Sequence, residues 1–120
     1  MATQNQPSTG EQEAEQAVRD YQIVQEQLRS AALQINQLQA QKAEFDRAKA
    51  EVSGADGRIY LTVGGVIVET SKEKALSDLK EKLELSEFRS SSLKKQYDEL
   101  KAKEKALGEK LTRMYKQSQG

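Results

Sequence analysis

Few residues of this chain have the types and the spacing that enzymatic chemistry requires. Its 120 residues include no histidine and no cysteine, so the commonest general base, the commonest metal ligand and any thiolate nucleophile are missing. The pair Gly64-Gly65 could belong to a phosphate-binding loop, but no Lys-Ser or Lys-Thr follows it and no helix opens directly after it. We therefore interpret the glycine pair as a tight turn.

Charged side chains are abundant, with 19 Lys and Arg against 19 Asp and Glu. The carboxylates could form catalytic pairs, and the lysines could form a stripe that binds nucleic acid. Acidic and basic residues are interleaved, however, which is typical of solvated helix faces. We predict that the protein is not an enzyme, has no cofactor or metal, and does not bind nucleic acid.

The composition also indicates which elements carry these charges. Aromatic residues are only 5% of the chain, and Ala, Glu, Lys, Gln and Leu dominate, which is typical of long helices or coiled coil. The opening segment MATQNQPSTG resembles neither a signal peptide nor a membrane anchor, and no apolar run is long enough to span a bilayer. We predict a disordered tail over residues 1–10, a single domain over 11–120, no membrane partner and a cytoplasmic location.

A first helix is predicted over residues 11–53. Apolar residues recur there at alternating steps of three and four, which is the pattern of a heptad seam. Gly54 suits the C-terminus of this helix. The predicted seam positions are Tyr21, Val24, Leu28, Ala31, Ile35, Leu38, Lys42, Phe45, Lys49 and Val52.

A second helix is predicted over residues 71–116. Thr70 and Glu73 match a capping box, in which each side chain satisfies a free backbone N–H at the helix start. The two helices are nearly equal in length, which favours an antiparallel coiled coil in which Val52 faces Leu76. The predicted seam positions are Leu76, Leu79, Leu83, Ser86, Ser90, Leu93, Tyr97, Leu100, Glu104, Leu107, Leu111 and Met114.

The segment between the helices, residues 58–70, is predicted to form a β-hairpin. β-branched and aromatic residues flank Gly64-Gly65, and a two-residue glycine turn supplies the positive φ angles that such hairpins need. Counting outward from the turn, so that Val63 pairs with Val66, puts the strong hydrophobes on one face. These oligomerisation residues are Ile59, Leu61, Val63, Val66 and Val68.

A single hairpin of this kind requires a partner. It is marginally stable alone, a two-helix coiled coil is too thin to cover its apolar face, and its unpaired edges invite pairing with other chains. The predicted fold class is therefore mainly α: a long antiparallel two-helix coiled coil with one β-hairpin between the helices, the hairpins assembling into an oligomeric β-barrel.

The hairpin and the start of the second helix carry a family resemblance. The segments IYLTVGGVIVET and SKEKALSDLKEKLE closely resemble the beta class of prefoldin, a cochaperone of archaea and eukaryotes. The family shows an aromatic-containing strand, a glycine turn, an apolar strand and a second helix rich in LKEKLE-like sequence. The resemblance is strongest from Arg58 to Glu84. A single hairpin fits the beta class, since alpha-class subunits have two, and the archaeal type fits best.

The resemblance implies a function and a set of partners. It implies a hetero-hexamer with two alpha-class and four beta-class subunits, whose hairpins form a double β-barrel platform from which six coiled coils extend. The tips of the coiled coils would bind unfolded client proteins without ATP and deliver them to a group II chaperonin. The chain would then be a holdase subunit.

The residues predicted to bind clients lie towards the two chain termini, where helix ends open most easily. All but two of them are also seam positions whose ordinary role is the coiled-coil core; Ile23 lies off the seam and Tyr115 beside it. The candidate client-binding residues are Tyr21, Ile23, Val24, Leu28, Leu107, Leu111, Met114 and Tyr115. The alternative is a structural coiled-coil adaptor or scaffold without client binding, although a hairpin that is only a linker would not need an apolar face.

The segment LSEFRSSSL departs from the family pattern. Ser86 and Ser90 occupy seam positions at which the family usually has larger apolar residues, and the expected register puts Lys42 opposite Ser86. We therefore expect weak packing there. Leu85 and Phe88 fall off the seam and are candidates for local repacking or for contact with a neighbour.

Overall fold

The protein consists of two long helices with one hairpin between them, which confirms the predicted mainly α fold with a single hairpin between two helices. The computed structural model describes residues 9–119. The elements are α1 (Thr9–Ser53), β1 (Ile59–Val63), β2 (Val66–Thr70) and α2 (Lys72–Gln119). The predicted disordered tail falls mainly on residues 1–8, which lie outside the described residues, whereas Thr9 and Gly10 already belong to α1. Helix α2 continues three residues beyond the predicted end at Lys116.

The chain divides into two compact units, and each helix contributes to both of them. The terminal unit comprises the described part of Met1–Leu33 and of Lys94–Gly120, and the hairpin unit is Gln34–Leu93. In both units the most protected side chains of α1 and α2 recur at steps of three and four residues. The seam predicted from the heptad pattern is therefore present in each unit, because such spacing keeps one side of a helix against its partner.

One predicted seam position is wrong. Lys49 is exposed, and Ala48 is the half-buried residue between Phe45 and Val52. The seam advances by three residues from Phe45 instead of four, so that the small apolar side chain packs and the ammonium group stays in water. Removing a lysine charge from water is costly unless it is paired, which explains the shift.

The helix segments run antiparallel within each unit. In the hairpin unit, Lys42 Nζ lies 2.6 Å from Glu87 Oε1, while Lys72 Nζ donates to the carbonyl oxygen of Ala55 at 3.5 Å. In the terminal unit, a Cβ added to Gly108 would lie 3.7 Å from Cε2 of Tyr21. The Lys42–Glu87 pair is one residue away from the predicted pairing of Lys42 with Ser86.

The fully buried core is thin and consists of small or medium side chains. In the terminal unit all of its members come from α1, and Val24, 1% exposed, is the largest side chain that is fully buried. In the hairpin unit Ser86 is only 4% exposed. No buried side-chain N or O atom of the described residues lacks a hydrogen-bond partner. Ser86 is thus enclosed in the seam and Ser90 is half-buried, and the expectation of weak packing at these two serines stays a prediction. The buried apolar residues are Ala17, Val24, Leu28, Ala31 and Ala75.

The start of α2 is capped by a different residue than predicted. The backbone N–H of Lys74 donates to Oγ of Ser71 at 3.1 Å, and the N–H of Ala75 donates to the Ser71 carbonyl at 2.9 Å. Ser71 is therefore the N-cap, and the capping box of Thr70 and Glu73 does not form. Thr70 pairs with Ile59 at the end of the hairpin, which holds its backbone in the strand.

Candidate binding surfaces

The hairpin forms with the register that its sequence predicts. Val63 pairs with Val66, Leu61 with Val68 and Ile59 with Thr70, in an antiparallel two-stranded sheet. Its turn uses φ angles of 54° at Gly64 and 82° at Gly65, a conformation that glycine adopts without strain. The glycine pair thus has a structural explanation as a turn.

Apolar side chains of the hairpin are exposed on both of its faces. On the predicted oligomerisation face, Ile59 and Leu61 are half-buried, whereas Val63, Val66 and Val68 are exposed. On the opposite face, Tyr60 and Ile67 are exposed as well, and Ile67 is 71% accessible. Contiguous exposed hydrophobes mark interaction surfaces, so the hairpin is a candidate for contact with other chains.

The candidate client-binding residues of the terminal unit differ in accessibility. Ile23 and Tyr115 are exposed at 55% and 65%, whereas Val24 and Leu28 are buried in the seam and present no surface to a client in this structure. The remaining four are half-buried: Tyr21, Leu107, Leu111 and Met114.

Only some of these residues lie together. Leu111, Met114 and Tyr115 line one depression with Val18, which is 43% exposed and was missed by sequence reasoning. Ile23 lines a separate depression on α1 between polar side chains. Val18 could have been found from the sequence, since it is a large apolar residue outside the seam of its helix.

Three further hydrophobes of the helices are exposed outside the seam. Phe88 is 73% exposed and Leu85 is 48% exposed, both in the hairpin unit. Leu33 of the terminal unit is 60% exposed and was not singled out by the sequence. The expectation that Leu85 and Phe88 fall off the seam agrees with their exposure.

The charged groups form pairs rather than a reactive cluster. Lys42 donates a hydrogen bond to Glu87, and this bond, together with the attraction of the Glu87 and Asp46 carboxylates, raises the pKa of Lys42. Asp78 and Lys82 form an exposed ion pair at 3.0 Å. Among residues 9–119 no group of three or more His, Cys, Asp or Glu side chains is arranged to hold a metal ion. Neither described helix is apolar enough over sufficient length to cross a membrane.

Comparison with known proteins identifies the family. Residues 15–118 match the prefoldin subunit family. The chain belongs to this family. The prefoldin beta subunit of Pyrococcus abyssi is 39% identical to it over 89 residues, which cover 72% of this chain and 76% of that protein. The prefoldin beta subunit of Thermococcus kodakarensis is 37% identical over 97 residues, covering 79% and 77%.

A solved structure supports the same assignment. The crystal structure of the prefoldin beta subunit from Thermococcus strain KS-1 superposes with a TM-score of 0.78 and 31% sequence identity, over 84% of this chain and 90% of that chain. The resemblance to archaeal beta-class prefoldin is confirmed, and the chain is a prefoldin chaperone subunit.

Proposed function

We propose that this chain is a holdase subunit that binds nonnative proteins without ATP and delivers them to a group II chaperonin. The observation that carries the proposal is the exposure of Val18, Ile23 and Tyr115 in the terminal unit, although the seam of that unit is packed. These side chains contribute little to the coiled coil, so their apolar surface is available to a client. Exposed hydrophobes of this kind bind other apolar chains.

The chemistry of the depression that contains Tyr115 fits transient binding. Met114 is unbranched and polarisable, so it adapts to differently shaped apolar side chains. Tyr115 offers a large ring with a polar edge. In the proposal Val24 and Leu28 support the site from the core, and the contacts to the client are made by the accessible residues.

The proposal includes assembly through the hairpin. Two alpha-class and four beta-class subunits would join by pairing of hairpin edges into a double β-barrel, burying Val63, Val66 and Val68. Each of these valines is exposed in the single chain, which supports a partner at this position. Several subunits would then present weak binding sites to one client, and linked weak contacts hold a chain far more tightly than one contact does.

The test removes the apolar surface of the terminal unit without touching its seam. The triple variant Val18→Ser, Ile23→Ser and Tyr115→Ser is assembled with an alpha-class subunit, and light scattering follows the aggregation of a diluted, denatured client. Because each beta-class subunit loses three contacts, we expect the concentration of complex needed for half-protection to rise by about tenfold or more. The complex itself should keep its mass.

A matched control is Leu33→Ser, which removes a single exposed hydrophobe of the same unit outside the proposed site. It should protect the client as the parent does. A triple variant that assembles and protects the client normally would contradict the proposal and favour a structural coiled-coil scaffold.

A further inference from the structure

The hairpin unit carries an exposed aromatic ring that neither the seam nor the hairpin uses. Phe88 on α2 has the highest accessibility of the large exposed hydrophobes in the described residues, at 73%, and Leu85 lies one turn before it. Transferring a phenylalanine side chain from water into an apolar environment is favourable. A ring left in water at this position is therefore available to a partner.

The ring lies at a shallow groove lined by apolar and amide side chains, with one charged residue. Helix α1 contributes Gln34, Gln37, Leu38 and Gln41, and α2 contributes Phe88, Arg89, Ser92 and Leu93; we call this the amide groove. The three glutamines are spaced by three and four residues, which places them on one face of the helix. In a chain with 32% charged residues, a groove with a single charged side chain is distinctive.

That single charge is not neutralised by a neighbour in the structure. Arg89 forms no ion pair within residues 9–119. Glu87, two residues away, is engaged by Lys42 at 2.6 Å. The amide groove therefore combines an apolar ring, amide donors and acceptors, and a guanidinium that suits a carboxylate.

We propose that the amide groove binds an extended segment of nonnative polypeptide in which an apolar side chain lies next to an acidic one. The apolar side chain packs on Phe88, the carboxylate pairs with Arg89, and the amides of Gln37 and Gln41 bond the backbone of the segment. This inference rests on the proposed holdase function and adds a second binding surface with its own preference.

The amide lining favours an extended chain over a second copy of this protein. The backbone N–H and C=O groups inside α1 and α2 are bonded within each helix, so a docked helix offers the glutamines no free backbone groups. An extended nonnative segment carries unpaired N–H and C=O groups along its whole length. The side chains of Gln37 and Gln41 each provide a donor and an acceptor for them.

The test measures binding of two labelled, unstructured peptides to the complex assembled with an alpha-class subunit. Both peptides contain one phenylalanine, flanked by aspartates in the first and by lysines in the second, and fluorescence anisotropy reports their Kd. The parent should bind the acidic peptide more tightly. Phe88→Ser should weaken that binding about tenfold, which corresponds to about 1.4 kcal/mol.

Charge reversal provides a second, independent variant. Arg89→Glu should reverse the preference between the two peptides, a result that loss of packing alone does not produce. Leu33→Ser serves as the control for an exposed hydrophobe outside the amide groove and should leave both Kd values unchanged. In addition, p-benzoylphenylalanine introduced in place of Phe88 should cross-link to the acidic peptide on irradiation.

Three results would overturn the inference: no change in either Kd with Phe88→Ser, an unaltered preference with Arg89→Glu, or cross-links from position 88 only to other subunits of the complex. The last result would assign the ring to an interface between subunits. None of these outcomes affects the holdase proposal, which fails only if the terminal-unit variant protects clients normally.

Discussion

Replacing Gly108 by alanine should stabilise the protein, because this glycine lies inside a helix without needing to be glycine. It belongs to α2, eleven residues before the helix ends at Gln119, and its φ angle is not positive. A Cβ built at this position would meet its nearest neighbour, Cε2 of Tyr21, at 3.7 Å, which is an ordinary van der Waals contact. Nothing in the structure opposes the added methyl group.

The magnitude follows from the cost of glycine in a helix. Glycine is about 0.8–1.0 kcal/mol less favourable than alanine in a helix interior, chiefly because it loses more backbone freedom on folding. We therefore expect Gly108→Ala to raise the free energy of unfolding by about 1 kcal/mol. For a chain of this length that corresponds to an increase in Tm of about 4 °C.

The assay is thermal unfolding followed by circular dichroism at 222 nm, with all variants at one protein concentration because assembly makes Tm concentration-dependent. The matched control is Ala106→Gly, an exposed position of the same helix, which should lower Tm by a similar amount. If both substitutions lower Tm, the helices of the terminal unit approach more closely at Gly108 than a 3.7 Å contact allows, and our description of this seam is wrong.

Three further predictions concern the hairpin unit. Val68→Lys should prevent assembly with an alpha-class subunit, because it buries a charge in an apolar interface, whereas Thr62→Lys on the opposite face of the hairpin should assemble. Size-exclusion chromatography with light scattering distinguishes the two results, and an intact complex with Val68→Lys would exclude a hairpin barrel. Ser86→Leu should lower the free energy of unfolding by roughly 1–3 kcal/mol through overpacking, since Ser86 is 4% exposed. With Ser86→Ala the free energy of unfolding should stay within about 0.5 kcal/mol of the parent's. A higher Tm for the leucine variant would mean that the site has unfilled space. The hydrogen bond to Glu87 raises the pKa of Lys42 above its ordinary value of 10.5, so the pair stabilises the fold below pH 10.5 and this contribution is lost as the pH rises through the raised pKa. The difference in Tm between the parent and Glu87→Gln should therefore shrink above pH 10.5. A constant difference would contradict the pairing.

The hairpin and its strand register could be predicted from the sequence because the register depends on local chemistry. The turn needs two consecutive positive φ angles, and Gly64-Gly65 supplies both. Once the turn is placed, the strand pairs follow by counting, and the alternation of side chains assigns each residue to a face. All five pairs, from Val63 with Val66 to Ile59 with Thr70, occur as counted.

The N-cap of α2 could not be predicted from the local sequence alone. Thr70 and Ser71 both carry a hydroxyl that can accept a hydrogen bond at a helix start, so the sequence alone allows either. Pairing with Ile59 keeps the backbone of Thr70 extended, so the side chain of Ser71 forms the cap instead. A contact between residues eleven positions apart thus decided between two adjacent side chains.

The heptad pattern predicted which side of each helix is protected, because steps of three and four repeat every seven residues whatever the partner is. It did not determine how deeply each position is buried. Ala48 replaces Lys49 in the seam, Ser86 is enclosed, and Phe88 remains in water. A seam that moves by one residue leaves every backbone hydrogen bond of the helix intact, so local energetics do not distinguish the alternatives. Only the opposing helix segment, by excluding water from some side chains and leaving it around others, selects among them.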